Sequence, residues 1–317
     1  MAIVAVPGGT GNVGRAIVEA ILATGKHTVK ILSRKANPAA EAQIGAPILA
    51  VDYTDVDALA KVLEDNNIDT VVSGIAMHSA DGTPPYEIEM IRAANKSKTT
   101  KRMISSDWGA PIRDADIGAF ASIAFKLGAQ KVLKEETTDL EWALVHNGFF
   151  MDYWGLPAVK SYLVRAPLVN WIDIPNNAAA IPGTGEVPAV FTHTMDVAKF
   201  VAASLDLPKW ERAMWVYGDR VTWNQFLKLA EEAKGTNFTV AYDSVEKMKM
   251  GQTTELPGQI PMYQFIPKEF LQGLAATFGL MFEEGALDLH TDKWLNDTFP
   301  EIKPMSVKEM LDKAWRK

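Results

Sequence analysis

Cysteine is absent from all 317 residues, which removes disulfides, thiolate nucleophiles and cysteine metal sites together. Histidine is scarce, with five copies at positions 27, 78, 146, 193 and 290, too far apart in sequence for a local metal-binding motif. No apolar run reaches 18 residues, so no stretch reads as a membrane-spanning helix. Basic residues gather into no block and the formal net charge is −7, which argues against a nucleic-acid partner. No internal repeat or low-complexity tract is found. What remains is ordinary for a globular protein: 48% hydrophobic and 22% charged residues, enough chain for a sizeable core in one large domain with a smaller lobe. The opening apolar run reads as a strand and not as a signal peptide, so the expected location is the cytosol.

That opening organises the rest. Ala2-Ile3-Val4-Ala5-Val6 has strand length, Pro7-Gly8-Gly9-Thr10-Gly11-Asn12-Val13-Gly14 follows directly, and Arg15 to Leu22 carry helical apolar spacing. Gly8 permits a tight turn off the strand. Gly11 lets backbone approach a pyrophosphate with no Cβ between, and Gly14 lets the helix lie close on the strand. The free N–H groups and positive dipole end of the helix then face an anion. Gly8, Thr10, Gly11, Asn12, Val13 and Gly14 are therefore the candidate dinucleotide cradle.

A second strand, Thr28 to Leu32, ends in Ser33-Arg34-Lys35. A carboxylate at this distance from the glycines favours the ribose hydroxyl of NAD, whereas Arg34 and Lys35 suit the 2′-phosphate of NADP, the guanidinium through paired hydrogen bonds. Residues 47–51 read as a third strand ending in Asp52-Tyr53, which the strand-end rule puts beside the adenine, with Thr54 or Asp55 capping a helix over 56–64 as a competing use of these polar residues. A fourth strand over 67–75 leads to Ala76, Met77 and His78. A helix over 86–95, a fifth strand over 101–106, a long helix over 117–137 and a sixth strand over 140–146 complete the alternation. Strand and helix alternating in this way predict a Rossmann-type, doubly wound parallel sheet. Residues 1–155 and 190–222 are expected to form it, and 156–189 with 223–317 a smaller α+β substrate lobe.

Four segments carry a family resemblance. Lys101-Arg102-Met103-Ile104-Ser105-Ser106-Asp107-Trp108-Gly109 resembles the Lys-Arg-Phe-x-Pro-Ser-Glu-Phe-Gly stretch of isoflavone and pinoresinol-lariciresinol reductases. Residues 142–150 resemble the strand and loop after their catalytic helix, and Thr192 to Phe200 their return helix, with Tyr217-Gly218-Asp219 and Thr222 resembling the strand and cap that follow. Together with the opening glycines, these are similar to the NmrA-like atypical short-chain dehydrogenases. The resemblance implies a lysine on the helix between the fifth and sixth strands in place of the usual Tyr-x-x-x-Lys pair. Lys126 falls closest to it and Lys131 second. The helix departs from the family pattern at Gly128, where Phe125-Lys126-Leu127-Gly128 replaces Phe-x-x-Lys-x-x-Val-Arg-Arg. Ser106, Asn147 and Phe149 join the implied cofactor contacts, along with Ala76, Asp52, Tyr53 and Lys126 itself. Met77, His78, Trp108, Phe150 and Tyr153 are the implied substrate contacts.

The expected function is an NADPH-dependent reductase acting on a carbonyl, imine or conjugated double bond of a bulky aromatic or polycyclic metabolite, as a monomer or homodimer. Met248, Met250, Met262, Phe265, Phe270, Phe278, Met281, Phe282 and Trp294 would build either the core of the smaller lobe or an adaptable apolar pocket. Two other readings stand beside it: a dinucleotide-sensing regulator without turnover, and a non-redox cyclase or isomerase that retains NADP.

Overall fold

The computed structural model describes residues 1–77, 83–163 and 171–316. The chain divides into two compact units, one of residues 1–146, 194–216 and 293–302, the other of residues 147–193, 217–292 and 303–317.

In the first unit, β1 (Ile3–Pro7), β2 (Thr28–Ser33), β3 (Ile48–Ala50), β4 (Thr70–Val72), β5 (Arg102–Ile104) and β6 (Glu141–His146) join the strand Ala213–Trp215 in one sheet. Its order is 213–215, β6, β5, β4, β1, β2, β3, and every pairing is parallel. The crossovers are α1 (Asn12–Thr24), α2 (Pro38–Ile44), α3 (Val56–Asp65), α4 (Glu87–Lys96) and α5 (Ala121–Glu135). This is the doubly wound sheet that the alternation predicts. Strand order reverses between β1 and β4, which opens a crevice at their carboxyl ends.

The strands read as continuous apolar runs because both faces are covered. Ala5, Leu32, Val71 and Met103 pack in one cluster with Leu59, Leu63 and Met90 from the helices. The alternate residues Val4, Val6, Ile31 and Ile104 are just as fully buried. Helices pack on one another in two groups, α1 with Thr194–Ser204, and α3 with α4 and α4 with α5. Truncating one such side chain, Leu59 for example, typically costs about 2–5 kcal/mol.

Several boundaries differ from the sequence expectation for physical reasons. The expected strand over 67–75 narrows to Thr70–Val72, because residues 73–77 leave the ladder at the crevice. The helix expected over 117–137 is Ala121–Glu135, preceded by a 3-10 turn at Asp114–Asp116, and Ile117 stays exposed. Helix α2 buries none of its residues and so shows no apolar stripe; it is held by the Asn37 side chain accepting from the Ala40 amide and by Gly45 at φ +79°. Gly128 does not interrupt α5, and a Cβ there would lie 3.5 Å from Ile88 of α4, an ordinary contact.

The second unit holds two three-stranded sheets. Phe149–Phe150, Pro188–Thr192 and Asp219–Thr222 form one, and Ile172–Asp173, Ala178–Pro182 and Thr239–Asp243 the other. Its core is aromatic: Phe149 meets Trp171, Phe191 and Phe282 at ring separations of 5.8, 6.5 and 5.4 Å. Thr222 caps the helix Trp223–Lys234 in a reciprocal capping box with Gln225. The Met-, Phe- and Trp-rich C-terminal third divides three ways. Met248 and Phe282 are buried, Met250, Phe265 and Phe270 are exposed, and Trp294 belongs to the first unit, where its ring lies 6.4 Å from that of Trp215. Within residues 252–264, Pro257–Met262 forms a 3-10 turn, and the Gly258 amide donates to the buried Asp173 carboxylate at 2.7 Å.

Candidate functional site

The first unit builds its crevice from two touching loops. Gly8 sits at φ +71°, and a Cβ on it would stand 2.5 Å from the Gly74 carbonyl oxygen; one on Gly74 would stand 2.6 Å from the Gly14 Cα. Only glycine fits at these three positions. The Gly74 amide donates to the Pro7 carbonyl at 2.8 Å, which joins the loop after β4 to the loop after β1. At Gly11 the situation is opposite, with no atom within 4 Å of where a Cβ would be. The backbone there borders open space. Helix α1 has no acidic residue in its first turn and no side-chain cap on Gly11, so its positive end is available to an anion. Thr10 and Asn12 are exposed beside it, while Val13 and Gly14 are buried beneath. The cradle fits a pyrophosphate.

Beyond it, Arg34, Ala50, Val51, Asp52, Tyr53, Thr54 and Tyr86 line a recess of about 470 Å³. Arg34 and Lys35 are exposed at the end of β2. The Thr54 hydroxyl and amide both donate to Asp52, at 2.7 and 2.9 Å, and hold its carboxyl below the usual range. The Tyr53 hydroxyl donates to the Leu32 carbonyl at 3.0 Å, its ring stacks on Tyr86 with centroids 6.0 Å apart, and burial pushes its phenol pKa up. Tyr86 escaped the sequence reading, since nothing local to residue 86 signals that it meets residue 53.

A polar cluster lies at the carboxyl ends of β4 and β5. Glu87, fully buried, accepts from the Ser73 and Ser105 hydroxyls at 2.6 and 2.7 Å and from the Ser106 amide at 2.9 Å. Burial pushes its pKa up, against those three donors. The Ser106 hydroxyl donates to the Ile75 carbonyl at 2.7 Å and the Trp108 indole to the Ser73 carbonyl at 3.2 Å. The segments 73–77 and 105–108 are thus tied together, with Ala76 exposed and Met77 packed into the core.

Lys126 projects from α5 into this cluster. Its Nζ donates to the Trp108 carbonyl at 2.8 Å and lies 3.5 Å from Asp107 Oδ1, with the side chain 19% exposed. Asp107 is buried, which pushes its pKa up, while the Lys126 charge pulls it down. His146, at the end of β6, packs 4.6 Å from the Trp215 ring and is pushed down to about 4 by burial and by the Lys126 charge, so its imidazole is neutral. Lys131 is elsewhere: its side chain is 72% exposed and 3.9 Å from Glu135.

Of the remaining expected site residues, Asn147, Phe149, Phe150 and Tyr153 belong to the second unit. There the Asn147 carbonyl accepts from the Thr192 hydroxyl at 2.7 Å, Phe149 sits in the aromatic core, Phe150 pairs with Thr192, and burial pushes the Tyr153 phenol up to about 12. His78 lies outside the described residues. Among the described residues no helix is long and apolar enough to cross a membrane, and no cluster of potential metal ligands is found.

A parallel doubly wound sheet with a glycine cradle at its switch point defines a dinucleotide-binding protein. Comparison with known proteins makes the class specific. A family profile described as NAD(P)H-binding matches residues 8–165. The chain is 34% identical over 302 residues to "Oxidoreductase BOA1" of Botryotinia fuckeliana, covering 95% of both. It is 24% identical over 324 residues to "Isoflavone reductase homolog IRL" of Zea mays, covering 97% of this chain and 96% of the relative. In three dimensions it is similar to leucoanthocyanidin reductase of Vitis vinifera in its NADPH binary complex, with a TM-score of 0.74, 19% identity and 98% of each chain covered. The chain belongs to the NmrA-like, isoflavone-reductase-like family of NAD(P)H-binding oxidoreductases, as the four sequence segments and the opening glycines imply.

Proposed function

We propose that the protein is an NADPH-dependent reductase of a bulky aromatic or polycyclic small molecule, acting on a carbonyl, imine or conjugated double bond, with Lys126 as the proton donor or orienting residue. The observation that carries this reading is the contrast between the two candidate lysines. Lys126 is largely withdrawn from solvent among Trp108, Asp107 and His146 at the crevice, whereas Lys131 stands in water. NADPH, when bound, supplies the hydride. Gly8, Gly11 and Gly14 admit the pyrophosphate, the Asp52–Tyr53–Tyr86 recess receives the adenine, and Arg34 with Lys35 meets the 2′-phosphate. Lys126 then offers an ammonium proton to the substrate oxygen, nitrogen or carbon that gains the electron pair.

The reading assigns the cofactor to the first unit. A cytosolic monomer or homodimer without a nucleic-acid or membrane partner completes the proposal, in keeping with the net charge of −7. The test is to incubate the purified protein with NADPH and a panel of aromatic ketones, cyclic imines and enones while following loss of reduced nicotinamide. Oxidation coupled to a reduced product is expected. Tight NADPH binding with no oxidation and no product across the panel would favour a sensor. Conversion of a compound without NADPH oxidation would favour the cyclase or isomerase.

A further inference from the structure

Asp107 is the anion facing Lys126, and the way it is held is unusual. It lies three residues beyond the end of β5 and is buried. One carboxylate oxygen, Oδ2, is fixed by the Gln130 side chain at 2.6 Å, and Gln130 stands one helical turn beyond Lys126 on α5. The other, Oδ1, accepts no hydrogen bond although it is shielded from water. It is aimed at Lys126 Nζ from 3.5 Å, just beyond bonding distance, while Nζ donates to the carbonyl of the next residue, Trp108. Gly109, at φ +137°, completes the wall, and a Cβ on it would stand 3.8 Å from Nζ. A buried carboxylate oxygen with no donor costs stability unless a nearby charge compensates it. The ammonium is that charge.

We propose that Asp107 is a positioning residue for the reaction, its carboxylate, anchored by Gln130, holding the Lys126 ammonium in place at the crevice. The proposal rests on the reading of Lys126 as proton donor or orienting residue. Among the described residues, the other titratable groups around the pair are His146 from β6, neutral beside Lys126, Lys134 from α5, whose charge lowers the Asp107 pKa, and Glu87 from α4, whose own pKa Asp107 raises. None of these replaces Asp107 as the anion beside Nζ. As long as the carboxylate is present, the ammonium has a counter-charge within a few ångströms and one fixed acceptor. Without it, Nζ keeps, among the described residues, the neutral Trp108 carbonyl as its acceptor.

The test is a set of variants assayed with NADPH and a substrate identified by the panel. Asp107→Asn should leave NADPH affinity unchanged and lower kcat by roughly 10²-fold, as misplacement of a reacting group does. Asp107→Glu, which keeps the charge, should restore most of the rate. In a Lys126→Ala background Asp107→Asn should cost nothing further. A wild-type kcat for Asp107→Asn, or a full additional loss in the Lys126→Ala background, would overturn the proposal. Should Asp107→Asn fail to fold, Gln130→Met releases the anchor and leaves the carboxyl; a lower kcat at unchanged NADPH affinity is expected, and an unchanged kcat would overturn the proposal. Full activity of Lys126→Ala alone is a separate result, which removes the function reading and the positioning role with it.

Discussion

Replacing His146 with Phe should flatten the acid side of the stability curve. The imidazole is buried, its Nδ1 has no hydrogen-bond partner, and its pKa is lowered from 6.5 to about 4 by burial and the Lys126 charge. Its folded pKa lies below its unfolded one, so the unfolded chain takes up the proton first as pH falls. The group therefore costs nothing above pH 6.5 and withdraws stability progressively as pH drops from about 6.5 to about 4. A shift of this size is worth about 3 kcal/mol at the acid end, taken as a ceiling, which at roughly 2–4 °C per kcal/mol is a Tm change on the order of 10 °C. Phe fills most of the same space beside Trp215, carries no proton and leaves no orphaned nitrogen, so at pH 7 the variant should be as stable as wild type or slightly more so. Thermal melts of both proteins from pH 7 down to pH 4 check this. Buried Glu87 and Asp107 titrate with the opposite sign in both proteins and cancel in the difference. Equal acid sensitivity in the two proteins would refute the assignment of a neutral buried imidazole.

Two further outcomes concern the cofactor. Gly11→Val should fold normally, because Gly11 has φ −153° and no neighbour within 4 Å of its Cβ position, yet lose NADPH binding; calorimetric titration beside a melting curve decides it. Arg34→Ala should weaken NADPH binding by about 1.5–3 kcal/mol and leave NADH unchanged, so equal NADPH affinities in wild type and variant would remove Arg34 from the site.

The chain declares its fold where local pattern and global role coincide. The β1–glycine–α1 unit is legible because apolar spacing, turn residues and helix start follow one another within 24 residues. The same holds for the β2 ending at Arg34. Helix α2 is hidden because a surface helix with no buried face has no period to read; Asn37-Pro38 and Gly45 were its only signals. The strand Ala213–Trp215 lies just ahead of the Tyr217–Asp219 stretch that reads as its equivalent. The cluster around Lys126 is hidden for another reason. Glu87, Asp107, Gln130 and His146 come from two strand ends and two helices, and each looks locally like an isolated polar residue. Only pairing of β5 with β4 and β6, and packing of α4 on α5, brings them together. The lysine itself was within reach through the family pattern, but its counter-charge was not.

The central claim is that this cluster makes Lys126 the working lysine of an NADPH-dependent reductase. Lys126→Ala and Lys131→Ala, each confirmed to bind NADPH as wild type does, should be compared for NADPH-driven reduction of one substrate under saturating conditions. The account predicts that Lys126→Ala loses roughly 10²–10⁴ in turnover while Lys131→Ala stays within a few-fold of wild type. Wild-type turnover in Lys126→Ala would contradict it.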